Sequence, residues 1–273
     1  MRSFKSDIIG DISNTYLSVK FELMKHMRRK RLLIAVSLAI IIPLIFYAIP
    51  KIWDVGFADS AGEFASDTLG YINLLIIISG AIFAGDAISG EFEKKTGLLL
   101  FPTPQRRTSI FVGKYIAALI ATFFVLSLYY GTLTLEITQI YGVKEIPVDL
   151  ATSYLISLIY ATSVLSVIYF FSSILKRTIS STLLGFFFLM MILPITERVL
   201  KSVDVEPWFV VTYSAGLITD VFRLPTNVAF GPGERLALTG FAPDFYVGIW
   251  VMMAYKIVLF LVSIAIANRK NME

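Results

Sequence analysis

Few residues in this chain could carry chemistry. None of the 273 residues is cysteine, which removes disulfides, thiolate metal sites and cysteine nucleophiles. The one histidine, His26, lies in "MKHMRRKRLL". A zinc site or a Ser-His-Asp triad needs partners that this segment lacks, so His26 reads as a solvated or headgroup-facing side chain. Two charges fall within otherwise apolar runs: Asp86 in "SGAIFAGDAIS" and Lys256 in "MMAYKIVLF". A lysine at mid-membrane costs roughly 2.5–3.5 kcal/mol on insertion scales. Lys256 is therefore expected to face the bundle interior or a hydrated cavity, as a pathway residue or as a buried hydrogen-bonded one. Asp86 lies about one turn from the end of its run, near headgroups or water, and its depth argues against a pair with Lys256. The densest charge cluster is "SGEFEKKTGLLLFPTPQRRTSIFVGK", residues 89–114.

The elements that must position these residues follow from composition. The chain is 56% hydrophobic and 16% charged, with mean hydropathy +0.76. A soluble domain is about a quarter charged, so lipid is the expected solvent. Six runs approach the roughly 20 apolar residues of one crossing: 32–49, 71–89, 110–135, 151–175, 180–195 and 245–268. Open sheet edges are not tolerated in lipid. The fold class is thus an all-α polytopic membrane protein with six transmembrane helices in a single membrane domain, 1–273. With the N-terminus inside, the inner segments hold 17 of the 24 Lys and Arg, the bias that sets orientation. Both termini are then cytoplasmic and the cell membrane is the expected location. The basic lead of 31 residues argues that the first run is a retained anchor rather than a signal peptide. The pI near 9.1 reflects these loops, and nucleic acid is not an expected partner.

Within residues 1–31, Ile12, Tyr16, Val19, Leu23 and Met27 form a helical stripe opposite Lys20, Lys25 and Arg28. This is expected to be an amphipathic helix in the inner headgroup layer. Segment 50–70 reads as a solvated outer loop with a short helix after Ser60. The outer segment 196–244 suits short interfacial or re-entrant helices. Its "GPG" lacks the Lys-Ser/Thr of a phosphate loop.

Residues 90–109 read as a cytoplasmic hairpin. Gly90 is expected to close the second span, and "EFEKKTGLLLF" to form a short amphipathic helix. Glu91 and Glu93 precede Lys94 and Lys95, the order the helix dipole favours, with Glu91–Lys95 as an i,i+4 pair. Phe92, Leu99 and Leu100 lie toward one side with Thr96 between them. "PTP" ends that helix; Thr103 caps the next, with Pro104 at its first position, and Arg106, Arg107 and Lys114 follow. Such a surface suits docking into a protein groove or lying on headgroups.

This stretch resembles the loop between the second and third spans of ABC-2 type permeases. The resemblance rests on Glu91 or Glu93, Thr96-Gly97, Leu99-Leu100, Pro102, Arg106-Arg107 and Gly113-Lys114. In motif it covers about 26 residues, and in layout the whole chain. It implies the permease subunit of an ABC exporter, paired with a second permease subunit and with a separate ABC ATPase. The loop would carry the coupling helix, so the ATPase-coupling residues would be Glu91, Phe92, Glu93, Lys94, Lys95, Thr96, Gly97, Leu99, Leu100, Pro102, Arg106 and Arg107. No G-x-x-x-x-G-K-S/T motif is present. The chain would therefore hold no cofactor and be no enzyme by itself, with ATP and Mg on the partner subunit. The rival reading is an ion-coupled secondary transporter or channel using Lys256 and Asp86, although the paired interrupted helices of such proteins are not evident. An intramembrane enzyme would need catalytic groups in the spans.

Overall fold

The computed structural model describes residues 4–95, 106–222 and 241–270, with side chains from Asp11 onward. Helix α1 (Phe4–Arg28) is followed by α2 (Arg31–Ile52). Lys30 breaks the two apart in a left-handed conformation, φ 56°. Helix α3 (Ala61–Leu69) and α4 (Ile72–Ala84) are nearly continuous, and a short turn leads to α5 (Ser89–Glu93). Then come α6 (Arg107–Ile140), α7 (Asp149–Ile174), α8 (Thr178–Phe187), α9 (Leu193–Ser202), α10 (Val211–Ser214), α11 (Leu217–Asp220) and α12 (Phe245–Arg269). The described residues contain six helical stretches long and apolar enough to cross a membrane: Arg31–Ile52, Ala61–Glu93, Arg107–Ile140, Asp149–Ile174, Thr178–Ser202 and Phe245–Arg269.

Helix α7 is the centre of the bundle and packs against α4, α6, α8 and α12. Its sequence explains why. Ser153, Ser157, Ser163, Ser166, Ser172 and Ser173 are all buried, and small residues let helices approach closely in lipid. Their hydroxyls are also used. Ser163 donates to the Met252 carbonyl on α12 at 2.6 Å, and Ser166 meets the Tyr115 hydroxyl of α6 at 2.8 Å. Helices α2 and α12 and the α8–α9 stretch expose most of their apolar side chains, as suits peripheral helices facing lipid.

Several boundaries differ from expectation for local reasons. The short helix expected after Ser60 is present as α3, capped by Ser60 accepting from the Glu63 amide at 3.2 Å, but it is not solvated: Phe64, Ala65, Thr68 and Leu69 are buried in the bundle. The fifth span does not stop near 195. A π-helical turn over Phe188–Ile192 precedes Pro194, and such wider turns accommodate the missing proline amide, so helix continues to Ser202. In the segment 196–244, α10 and α11 are short and pack on α12 and α7; residues 223–240 lie outside the described part.

Candidate functional site

Helix α1 meets α6 through a polar stripe, one residue out of phase with its apolar one. Asp11 pairs with Arg106 at 2.9 Å. About two turns on, Gly113 of α6 lies directly against α1. A Cβ there would stand 2.5 Å from the Ser18 Cβ and 2.9 Å from the Thr15 carbonyl oxygen, so only glycine permits this crossing. Next to it, Lys114 is 5% exposed and donates to Glu22 at 3.1 Å and to Glu91 at 2.7 Å. Glu22 also accepts from Lys25. Asp11, Thr15, Ser18 and Glu22 recur at spacings of four, three and four, one helical face. Ile12, Tyr16 and Met27 are instead exposed, turned away from the protein.

Asp86 joins the same cluster. It is 4% exposed and accepts from Arg31 at 2.7 Å, with Arg29 at 3.6 Å. It does not meet Lys256, which is half-buried on α12 and makes no ion pair or hydrogen bond among the described residues. The arginines that begin α2 are simply nearer. His26 is neither solvated nor headgroup-facing. It is 1% exposed, edge-on to Phe83 at 5.1 Å, and neither ring nitrogen has a hydrogen-bond partner among the described residues. The polar stripe carries it inward, four residues after Glu22.

Burial pushes the Glu22 carboxyl up, but Lys114 and Lys25 outweigh it and hold the group at about 2. Burial lowers the His26 imidazole to about 4, against the opposing pull of Glu22 and Asp86. Both groups thus keep their neutral-pH states, Glu22 charged and His26 uncharged.

The three residues of the hairpin base take three different partners. Glu91 reaches Lys114 of α6, and through it Glu22 of α1. Phe92 lies under the Lys270 ammonium at 4.7 Å. Lys270 in turn donates to the last carbonyls of α7, Ser173, Ile174 and Leu175, at 2.9, 3.2 and 2.8 Å, and so binds the negative end of that helix. Glu93 accepts from the Thr178 amide at 2.8 Å, where α8 begins with an unsatisfied donor. Behind them Ser89 meets Ser181 at 2.9 Å, and the Ser89 amide donates to Ser172 at 3.1 Å.

These contacts revise the expected hairpin. Gly90 does not close the second span; it lies inside α5, and the helix ends after Glu93, with Lys95 left-handed at φ 53°. The expected Glu91–Lys95 pair therefore lacks its helical turn, and buried Lys114 takes the Glu91 carboxylate instead. Helix α6 starts at Arg107 after an extended Arg106. Lys94 and Lys95 are exposed. Thr96, Gly97, Leu99, Leu100, Pro102, Thr103 and Pro104 lie outside the described residues. Sequence reading missed Glu22, Lys114 as a buried cation, and Lys270. It also missed Glu136 of α6, which is 4% exposed with neither carboxylate oxygen hydrogen-bonded among the described residues.

Six apolar helices, one of them a serine-rich centre, with most of the ion pairs gathered at one end, define a multi-pass helical membrane protein. The family model described as "ABC-2 family transporter protein" matches residues 18–192, more than half of the chain. The chain belongs to the ABC-2 transporter family, whose membrane subunits are generally not catalytic themselves. No curated protein matches it.

Proposed function

We propose that this chain is the permease subunit of an ATP-binding cassette exporter, one of two permease subunits around a pathway, driven by a separate ATPase that docks on the hairpin 90–109. The basic end of the bundle would face the cytoplasm, and ATP and Mg would reside on the partner. The observation that supports this reading best is that Glu91, Phe92 and Glu93, three consecutive residues, hold α6 with α1, Lys270 at the foot of α7, and the start of α8. A force on the hairpin would reach each of these helices through a short polar link rather than through loose chain. The division of labour also sharpens. Glu91, Phe92 and Glu93 transmit motion within the permease, and Lys94, Lys95 and the Leu99–Leu100 pair present the ATPase-facing surface.

Alanine at both Leu99 and Leu100 is expected to lower substrate-stimulated ATP hydrolysis by the assembled transporter while membrane insertion stays normal. Unchanged coupling in that double variant would sink the assignment. The ion-coupled reading finds less support, because Asp86 is engaged by Arg31 and Arg29.

A further inference from the structure

The corner between α1 and α2 carries more positive charge than the chain neutralises. Around it stand the cations of Lys25, Arg28, Arg29, Lys30, Arg31 and Lys114, against the carboxylates of Glu22, Asp86 and Glu91. Lys114, Lys25 and Arg31 are committed to those carboxylates at close range. Arg29 is only loosely so, 3.6 Å from Asp86. Arg28 and Lys30 make no ion pair or side-chain hydrogen bond among the described residues. Two of these less committed cations stand together. Arg28 and Arg29, beside the paired Lys25 and with Phe21 and Met24, line a cavity of about 350 Å³, within the size range of small-ligand sites.

The surroundings say what would fill it. Phe21 and Met27 on α1, and Leu33 and Ile34 at the start of α2, are large apolar side chains more than half exposed. Arg31 is the first residue of a membrane-crossing helix. The cavity thus lies where apolar surface ends and uncompensated cations begin, the depth of a lipid phosphate. A soluble anion has no use for the exposed Phe21 and Leu33. An acidic protein would have to displace lipid from them.

We infer that Arg28 and Arg29, with Lys25 lining the same cavity, form a binding site for the phosphate of an anionic phospholipid, whose acyl chains lie along Phe21 and the first turn of α2. Arg28 is the main phosphate ligand, because no other group among the described residues uses it. Arg29 is shared between lipid and Asp86, so an occupied site sits directly on the cluster that joins α1 to the hairpin base. This inference does not depend on an ATPase partner.

The full-length chain in detergent would be titrated by native mass spectrometry with phosphatidylglycerol, with phosphatidylcholine of matched acyl chains, and with inorganic phosphate. Wild type should prefer phosphatidylglycerol at least fivefold. Arg28→Gln should weaken phosphatidylglycerol about fivefold, the size expected for one interfacial cation, and leave phosphatidylcholine unchanged. Arg28→Gln with Arg29→Gln should weaken it further, and Lys144→Gln at the opposite end should have no effect. Arg28→Gln is the deciding variant, since Arg29 also touches Asp86. Equal binding of the two lipids by wild type would overturn the site and leave the patch to an acidic protein. It would fall equally if Arg28→Gln bound like wild type, if Lys144→Gln weakened binding as much, or if millimolar phosphate displaced the lipid.

Discussion

Lys114 shows how a single residue can be half legible. The Gly113-Lys114 step stands out in the sequence, and its glycine has a physical reason in the close crossing with Thr15 and Ser18. Its partner Glu22 lies 92 residues away, and no local pattern announces that pairing. Removing one member of a buried pair leaves the other charge uncompensated, at a cost of about 3–5 kcal/mol. Lys114→Met should therefore lower the melting temperature in detergent sharply, because two buried ion pairs, to Glu91 and to Glu22, are lost at once and Glu22 keeps only Lys25; Lys114→Arg should recover part of it. The same cluster makes stability pH-dependent. The His26 pKa is depressed from 6.5 to about 4, and that of Glu22 from 4.5 to about 2. In both cases the unfolded chain takes up protons first, so stability is present above the unfolded value and lost as pH falls toward the folded one. The melting temperature should fall as pH drops from 6.5 toward 4, a decline that His26→Phe removes, and fall again below 4.5 through Glu22 in both proteins.

Among the elements, the crossing helices were written plainly in the apolar runs, and helix α1 in the apolar stripe from Ile12 to Met27. What the stripe could not say was which face meets the protein. An apolar stripe suggests the buried side in a soluble protein, but beside lipid it is the polar one, Asp11, Thr15, Ser18 and Glu22, that packs inward. The hairpin was legible as punctuation and charge. Its contacts were not, because each of Glu91, Phe92 and Glu93 bonds to a residue distant in sequence. The α1–α6 crossing gives this reading a direct check. A side chain at 113 would strike backbone, which cannot move aside as a flexible side chain can, and overpacking of this kind costs roughly 1–3 kcal/mol. Gly113→Leu should free α1 from the bundle, so that trypsin cuts at Lys20, Lys25 or Arg28 many times faster than in wild type. Gly113→Ala should fall between them. Equal cleavage of all three would mean that α1 is not held by this contact.

For the whole molecule, the layout follows from charge and from an even number of crossings. Helix α1, the α5–α6 hairpin, the α7–α8 turn and Lys270 are joined at one end by the contacts of Glu22, Asp86, Glu91, Phe92 and Glu93. That end carries most of the Lys and Arg, and positive charge is retained on the cytoplasmic side. At the opposite end, the 3₁₀ turn Val143–Glu145 and Asp204, after α9, cap the bundle. Because the chain has no cysteine, single cysteines report their side without background. A membrane-impermeant maleimide added to intact cells should label Lys144→Cys and Asp204→Cys, and should label Ser13→Cys on exposed α1 only after the membrane is opened. Labelling of Ser13→Cys from outside would invert the protein. The hairpin would then lie where no ATP is available to a partner, and the transport proposal would fail with the orientation.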